Sequence, residues 1–281
     1  NKDEDLLQEM INDLGGTVRI GKVIDYQTEL TPDSLEKLEI YENKFSFSIS
    51  TINLDEKEYG AIERTCKNYF KSLKFKVTFK RNDVKNHLFN VIDPSGYFSW
   101  NLNTGLELLI IKANEKYYLC KSIACFNPKI NIKKDNQRPA RVFTHGSSFR
   151  LATMMINILG LDEGKTIVDP FCGTGTFLIE GMIKGCNVIG IDNDKNLIET
   201  SEQNLQWAIK EFDLKVRYSL ILGTSETARF RADGCVFEPY MGPFLKNLPK
   251  FNQAQNIVNE LNRLYFNVFS NLHRNLSDDA L

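Results

Sequence analysis

Apolar residues recur along this 281-residue chain with two spacings, and each spacing predicts a type of secondary structure. An apolar residue at every third or fourth position predicts helices, and these are 6–14, 59–70, 147–159, 177–183, 197–212 and 254–268. Alternating or continuous apolar runs predict strands at 17–24, 45–49, 74–80, 106–111, 117–120, 166–168, 188–192, 216–222 and 235–237. From residue 147 onward strands and helices alternate, which is typical of an α/β domain built on a parallel sheet.

Two of these segments carry specific expectations about burial. Phe45, Phe47 and Ile49 alternate with serines, a pattern that predicts a strand with one buried and one exposed face. In the helix 147–159 we expect Gly160 to end the helix and four apolar residues to face the core, namely Leu151, Met154, Met155 and Ile158.

Positive charge is concentrated in one part of the chain. The net charge is only −1, but residues 61–150 hold 17 Lys and Arg against 6 Asp and Glu. Within this basic part, the segment 74–80 alternates lysines with apolar residues, so one face of the strand can rest on a core while the other meets phosphates. We interpret the basic part as a polyanion-binding surface, and a merely solvated lysine face is the alternative. The candidate contacts are Lys74, Lys76, Lys80, Lys133, Lys134 and Arg138.

The remaining composition argues against several classes of protein. No apolar run approaches the length of a membrane-spanning helix and no basic-plus-apolar leader opens the sequence, so we expect a cytoplasmic protein that does not bind a membrane. The six cysteines lack the spacing of a metal site and several lie in apolar strands. We therefore expect buried free thiols and no bound metal.

The segment Thr166–Phe177 has the order strand, glycine-rich turn, helix, and the second half of the chain is organised around it. Such a unit cradles a nucleotide-like ligand at the carboxyl edge of a parallel sheet. Asp169 precedes the glycines Gly173 and Gly175, and a carboxylate there would repel a pyrophosphate but accept a hydrogen bond from an ammonium group. The order therefore favours S-adenosylmethionine over a dinucleotide. An ordinary β-turn-α unit is the alternative.

A second acid ends the next predicted strand. Asp192 closes 188–192, at the place where nucleotide-binding α/β folds hold a ribose diol. A solvated carboxylate is the alternative, but the glycine-rich turn beside it favours ligand binding. Asp194 suits the N-cap of the following helix.

The run Asp169–Phe177, which reads DPFCGTGTF, resembles the family of RNA methyltransferases in which a THUMP domain precedes a class I methyltransferase domain. The resemblance implies an α/β protein with a smaller α+β THUMP-like domain before a Rossmann-like class I methyltransferase domain. It implies a remnant of a ferredoxin-like domain at 1–40, a THUMP-like RNA-binding domain at 41–135 and the methyltransferase domain at 136–281. By the same resemblance, we expect the natural protein to extend beyond both ends of this sequence.

The same family implies which residues hold S-adenosylmethionine: Asp169, Phe171, Gly173, Thr174, Gly175, Asp192, Asn193 and Thr224. Thr224 is a departure, because the family commonly has an acid there that contacts adenine. The family's equivalent of 143–147 lies beside the methionine end of the cofactor, and His145 within it fits a structural or exposed role better than that of a general base.

The last predicted strand leads into Glu238, Pro239 and Tyr240, which fit methyl transfer to an exocyclic amine. Polar oxygens at such a strand end accept the amine hydrogens, and an aromatic ring stacks on the extruded base. The seven residues from Phe237 onward resemble the Thr-Glu-Pro-Tyr-Leu-Gly-Pro variant of an archaeal branch of the family that acts on tRNA guanine N2. The resemblance implies Glu238 as acceptor and Tyr240 as stacking ring. Phe237 departs from it, because the family holds a polar side chain there, and a strand-end turn with a packed aromatic is the alternative.

These features imply methyl transfer from S-adenosylmethionine to an exocyclic amine of tRNA, with guanine N2 of the position-10 type as our first expectation. An adenine-N6 methyltransferase of DNA or RNA uses the same strand-end chemistry, but a basic N-terminal domain is expected for tRNA and not for DNA. A tRNA-binding homologue with weakened or lost catalysis is the alternative that Phe237 and Thr224 favour. The acid before the glycines argues against a dinucleotide dehydrogenase.

Overall fold

The computed structural model describes residues 2–40, 42, 44–80, 105–140 and 147–280, and the chain divides into two compact units, Asn1–Ile130 and Asn131–Leu281. Each unit contains a sheet and its own hydrophobic core. The segment 141–146, which includes His145, lies outside the described residues.

A five-stranded mixed sheet forms the first unit. Its elements are α1 (Lys2–Leu14), β1 (Arg19–Gln27), α2 (Pro32–Glu36), β2 (Lys44–Ile52), α3 (Glu56–Ser72), β3 (Lys76–Phe79), β4 (Gly105–Ala113) and β5 (Lys116–Cys125). The strands lie in the order β1-β5-β4-β2-β3, with β5 antiparallel to both neighbours and β2 parallel to both of its own. Asn114 and Glu115 turn the β4–β5 hairpin with φ of 50° and 58°, which two-residue hairpin loops require.

The strand β2 is covered on both faces, so the prediction of one exposed face is wrong. Phe47 and Ile49 lie in the core as predicted, but Ser48 and Ser50 are also buried. The Ser50 hydroxyl donates to the buried carboxylate of Glu107 at 2.5 Å. Ser50 can be buried because Glu107 satisfies its hydrogen bond, and the alternation in the sequence does not reveal that neighbour. The buried Ser48 hydroxyl has no such partner among the described residues.

The strand β3 has the two faces that the sequence predicts. The apolar residues of 74–80 pack against the core of the first unit. Lys76 is exposed within β3, and so are Lys74 in the turn before the strand and Lys80 directly after it; we call these three the lysines of β3.

The second unit contains a four-stranded, fully parallel sheet in the order β8-β7-β6-β9. From residue 128 onward the elements are α4 (Pro128–Gln137), α5 (Phe149–Leu159), β6 (Thr166–Asp169), α6 (Thr176–Ile183), β7 (Asn187–Asp192), α7 (Lys195–Glu211), β8 (Tyr218–Leu222), β9 (Gly234–Cys235) and α8 (Phe251–Asn275). Gly190 lets α6 pack closely on β7, since a Cβ there would lie 2.6 Å from a methyl carbon of Leu178. Because all four strands are parallel, the residues that follow them meet at one edge of the sheet.

Helix α5 buries a face that overlaps only in part with the predicted one, since Met155 packs partly buried against the core as predicted. Leu151 and Ile158 are 39% and 83% exposed, so they do not point into the core. The side chains that do are Phe149, Ala152, Thr153, Ile156 and Leu159. Both sets have helical spacing because most of the helix surface is apolar, and periodicity alone cannot choose between them. The helix ends as predicted at Gly160, with φ of 62°.

Two basic residues that were predicted to contact a polyanion lie inside the second unit. The Lys134 Nζ is 2.6 Å from a carboxylate oxygen of Glu180, and these side chains are 8% and 2% exposed. The Arg138 side chain is 9% exposed, and its guanidinium donates to the Thr176 hydroxyl at 3.2 Å. The prediction is wrong for both residues because the fold itself uses their charges. Lys133 Nζ lies 2.5 Å from a carboxylate oxygen of Glu211, but its side chain is 46% exposed, so Lys133 stays a candidate.

Candidate functional site

The buried carboxyl group of Asp169 lies at the end of β6. Asp169 is fully buried, and its Oδ1 accepts the backbone N–H of Phe171 at 2.9 Å. Its Oδ2 is also buried, and no hydrogen-bond partner for it exists among the described residues. An unpaired buried oxygen costs free energy, so this atom is prepared for a donor that comes from outside the chain.

The environment of Asp169 changes its protonation. Burial raises the pKa of Asp169 from 3.8 to about 8; the hydrogen bond from Phe171 opposes this rise, and the negative charges of Asp192 and Glu238 add to it. Asp192 and Glu238 therefore lie close enough to act electrostatically on Asp169. A cation at Oδ2 would reverse the effect and favour the carboxylate.

The glycine-rich turn after β6 has the backbone that the sequence predicts. Gly173 and Gly175 have φ of 51° and 84°, and a Cβ on Gly175 would lie 2.6 Å from the Ser201 hydroxyl oxygen. Thr174, between them, is buried, and its carbonyl accepts the side-chain amide of Asn204 at 2.9 Å. Asn204 is buried in α7 and was missed, because no spacing in the sequence connects it to the turn.

Asp192, at the end of β7, is tied to the same turn. One of its carboxylate oxygens accepts the N–H of Gly173 at 3.0 Å, and the other accepts the N–H of Asp194 at 2.9 Å. Asn193 is exposed next to it. Thr224 follows β8 at the same edge and is also exposed, and its hydroxyl donates to Glu226 at 3.2 Å.

The segment after β9 brings the predicted catalytic residues to this edge. Glu238 is exposed, and its carboxylate accepts a hydrogen bond from the Ser147 hydroxyl. Pro239 is half-buried, and Tyr240 is 50% exposed, with its carbonyl accepting the Tyr265 hydroxyl at 2.6 Å. Ser147 was not singled out as a functional residue, because 91 residues separate it from Glu238.

A cavity of about 230 Å³ lies beside Tyr240. It is bounded by the segment after β9 and by α8, and its lining consists of Glu226, Tyr240, Gly242, Pro243, Ile257, Glu260, Leu261, Arg263 and Leu264. No sequence motif marks the charged members of this set, so sequence reasoning missed them.

The lysines of β3 belong to the first unit, whereas all the residues above belong to the second. Among the described residues, no group of three or more His, Cys, Asp or Glu side chains could hold a metal ion. Every helix in the described part of the chain is too short or too polar to cross a lipid bilayer. All six cysteines are free thiols, and only Cys235 is more than slightly exposed.

The chain is similar in sequence to known methyltransferases. By sequence, the chain is 36% identical to the tRNA (guanine(10)-N2)-dimethyltransferase of Methanothermobacter thermautotrophicus over 104 residues, which are 36% of this chain and 30% of that protein. It is 25% identical to the tRNA (guanine(10)-N2)-dimethyltransferase of Methanocaldococcus jannaschii over 209 residues, which are 73% of this chain and 51% of that protein. The matches thus span about a third and about half of these relatives' lengths.

The fold has a counterpart among solved structures. The crystal structure of TrmN from Thermus thermophilus superposes with a TM-score of 0.52, covering 92% of this chain and 68% of that one, at 12% sequence identity. This likeness confirms the predicted fold, an α/β protein with a class I methyltransferase domain. Residues 138–221 match the UPF0020 family, described as an RMKL-like methyltransferase domain. This part of the chain is therefore similar to the UPF0020 family of methyltransferase domains.

Proposed function

We propose that this protein transfers a methyl group from S-adenosylmethionine to N2 of guanine 10 in tRNA. The observation that carries the proposal is the unpaired Oδ2 of Asp169, buried at the edge where Asp192 and Glu238 also lie. This edge offers one carboxyl group to an ammonium, a second to a ribose and a third to an amine.

The residues at this edge fit S-adenosylmethionine. Its ammonium group would donate to Asp169 Oδ2, which would then carry its charge. Asp192 keeps free lone pairs for a ribose diol while it holds the turn through Gly173. The other contacts of this proposal are Phe171, Thr174, Gly175, Asn193 and Thr224.

The catalytic part of the proposal rests on Glu238 and Tyr240. When bound, S-adenosylmethionine supplies a methyl group whose bond to a positively charged sulfur breaks as the amine nitrogen bonds to the carbon, and the sulfur keeps the electron pair. Glu238 would accept an amine hydrogen and stabilise the positive charge that develops on the nitrogen. Tyr240 would stack on the extruded base, and Pro239 would restrict the backbone between Glu238 and Tyr240.

The substrate part of the proposal has two supports. Both relatives described above are named as enzymes of guanine 10 in tRNA. In addition, the first unit presents a lysine face on β3, which suits phosphates. We propose that the first unit is a THUMP-like RNA-binding domain that contacts tRNA through Lys74, Lys76 and Lys80. It unites 1–40 with most of 41–135, because β1 of the former pairs with β5 of the latter. The methyltransferase domain, proposed at 136–281, follows it. We place the reaction in the cytoplasm as part of the same proposal.

Incubation of the full-length protein with methyl-labelled S-adenosylmethionine and total tRNA tests the proposal. We expect label on tRNA and, after nuclease digestion, only in N2-methylated guanosine from position 10. Label on adenine N6 would replace guanine by adenine as the substrate. Binding of NAD in preference to S-adenosylmethionine, with no label transferred, would overturn the proposal altogether.

A further inference from the structure

The cavity beside Tyr240 combines an aromatic ring, apolar walls and opposite charges. Ile257, Leu261 and Leu264 of α8 supply the apolar side, and Tyr240 supplies the ring. Glu226 brings a carboxylate to the same lining. Enclosure between apolar and aromatic groups with a few polar atoms is the environment in which proteins hold an extruded base.

Glu226 is a prepared acceptor in this cavity. One of its carboxylate oxygens accepts the side-chain amide of Asn267 at 2.7 Å, and the other accepts the Thr224 hydroxyl at 3.2 Å. These two bonds fix the orientation of the carboxylate and leave lone pairs on both oxygens. Glu226 is half-buried, so its remaining lone pairs face the cavity rather than bulk water alone.

Arg263 supplies donors close to Glu226. It lies four residues before Asn267 on α8, and side chains four apart are neighbours on a helix surface. Asn267 contacts Glu226, so Arg263 lies one helical turn from the residue that holds the carboxylate, and Arg263 and Glu226 both line the cavity. The cavity therefore presents both an acceptor and a donor.

On these grounds we propose that the cavity holds the target purine and that Glu226 and Arg263 select guanine over adenine. The inference rests on the proposed function and adds the residues that choose the base. Guanine carries a donor at N1 and an acceptor at O6, which match a carboxylate and a guanidinium. Adenine carries an acceptor at N1 and a donor at N6, so the carboxylate would meet an acceptor and the guanidinium would meet a donor. Tyr240 stacks on either base and does not discriminate.

The base 2,6-diaminopurine separates recognition from chemistry. It keeps the amine at position 2 but has the adenine pattern at N1 and position 6. The experiment compares tRNA carrying guanosine at position 10 with tRNA carrying 2,6-diaminopurine there, using the full-length protein. Binding is measured by competition in the presence of S-adenosylhomocysteine, and methylation is measured separately.

For the unsubstituted protein we expect the guanine tRNA to bind at least about tenfold more tightly, the effect of one reversed hydrogen bond at a charged group. Glu226→Gln should reduce this ratio to less than about threefold, because an amide can both donate and accept. Arg263→Gln, at an exposed position, should also reduce it. Glu163→Gln removes an exposed carboxylate before β6, at the opposite edge of the sheet, and should keep the full ratio.

Two outcomes would overturn the inference. One is equal binding of the two tRNAs by the unsubstituted protein, and the other is a tenfold ratio that survives both Glu226→Gln and Arg263→Gln. Methyl transfer decides the proposed function independently. If methyl transfer occurs but the substitutions leave the binding ratio unchanged, only the role of the cavity is excluded. If the binding ratio depends on Glu226 but no methyl transfer occurs, only the proposed catalysis is excluded.

Discussion

The aromatic ring of Phe237 lies against that of Phe171, with the ring centroids 5.7 Å apart. Phe171 follows β6 and Phe237 follows β9, so the contact joins the strand ends that carry Asp169 and Glu238. The ring of Phe269 from α8 lies 6.2 Å from that of Phe237. Phe237 therefore packs the edge of the sheet, in the position where the resembled family has a polar side chain.

Replacing Phe237 by Thr should affect stability rather than chemistry. We expect a loss of about 1–3 kcal/mol in the free energy of unfolding, because the ring contacts of a half-buried aromatic disappear. Turnover per folded molecule should be preserved or raised. Denaturant unfolding and turnover at saturating cofactor measure the two effects. Phe237→Leu is the matched apolar control, and turnover more than tenfold below that of the parent in both folded variants would assign the ring a role in catalysis.

The elements around Asp169 could be predicted because their chemistry is local. A strand, two glycines with positive φ and an acid at the next strand end are written within 24 residues of Asp169. Their local order specifies the turn, so the sequence was sufficient.

The polar contacts that complete the site could not be predicted in this way. Asn204 reaches Thr174 across 30 residues, and Asn267 reaches Glu226 across 41. Lys134 looked like a surface lysine because its partner Glu180 is 46 residues away. Periodicity shows where a side chain points within its own element, but the identity of the neighbour depends on how the elements pack.

Binding of S-adenosylmethionine should release a proton near neutral pH. The pKa of Asp169 is about 8, so its carboxyl is mostly protonated at pH 7. An ammonium at Oδ2 lowers that pKa, and the proton leaves as the ligand binds. Affinity should therefore rise with pH between about 6 and 7.5. Calorimetry in buffers of different ionisation enthalpy counts the protons released.

The matched variant for this prediction is Asp169→Asn. The amide keeps an oxygen for the Phe171 N–H but has no proton to release near neutral pH. It should bind the ligand at least about tenfold more weakly, and binding should not depend on buffer ionisation. Equal proton release by both proteins would place the titrating group elsewhere.

The lysines of β3 should control the salt dependence of tRNA binding. Replacing Lys74, Lys76 and Lys80 by Gln should weaken binding and flatten the plot of log affinity against log salt by roughly one unit for each phosphate that the protein no longer neutralises. The control is the double variant of Lys210 and Lys215, which are exposed in the second unit. Filter binding over a salt series gives both slopes, and an unchanged slope in the triple variant would remove β3 from the tRNA footprint.

Lys134 should behave as a structural residue. Lys134→Met leaves the carboxylate of Glu180 buried without its cation, which costs about 3–5 kcal/mol in the free energy of unfolding. The double variant with Glu180→Gln should recover most of this loss, because the amide is neutral and still accepts the hydroxyl of Thr153. Denaturant unfolding measures both. A Lys134→Met protein that is as stable as the parent but binds tRNA more weakly would return Lys134 to the RNA contacts.

The carboxylate of Glu238 should matter for turnover more than for binding. Ser147 donates to it, which leaves lone pairs for the amine and holds the carboxylate in one orientation. Glu238→Gln should lower kcat by at least about tenfold with little change in tRNA affinity, because its charge is needed where the amine becomes positive. Ser147→Ala should lower kcat less, and Ser147→Thr should restore it.

Tyr240→Ala should lose about 1–3 kcal/mol of stacking on the base, whereas Tyr240→Phe keeps the ring and most of the activity. Single-turnover kinetics with tRNA separates these effects. Undiminished methylation by Glu238→Ala would exclude the end of β9 as the catalytic position, even in a protein that proves to be a methyltransferase.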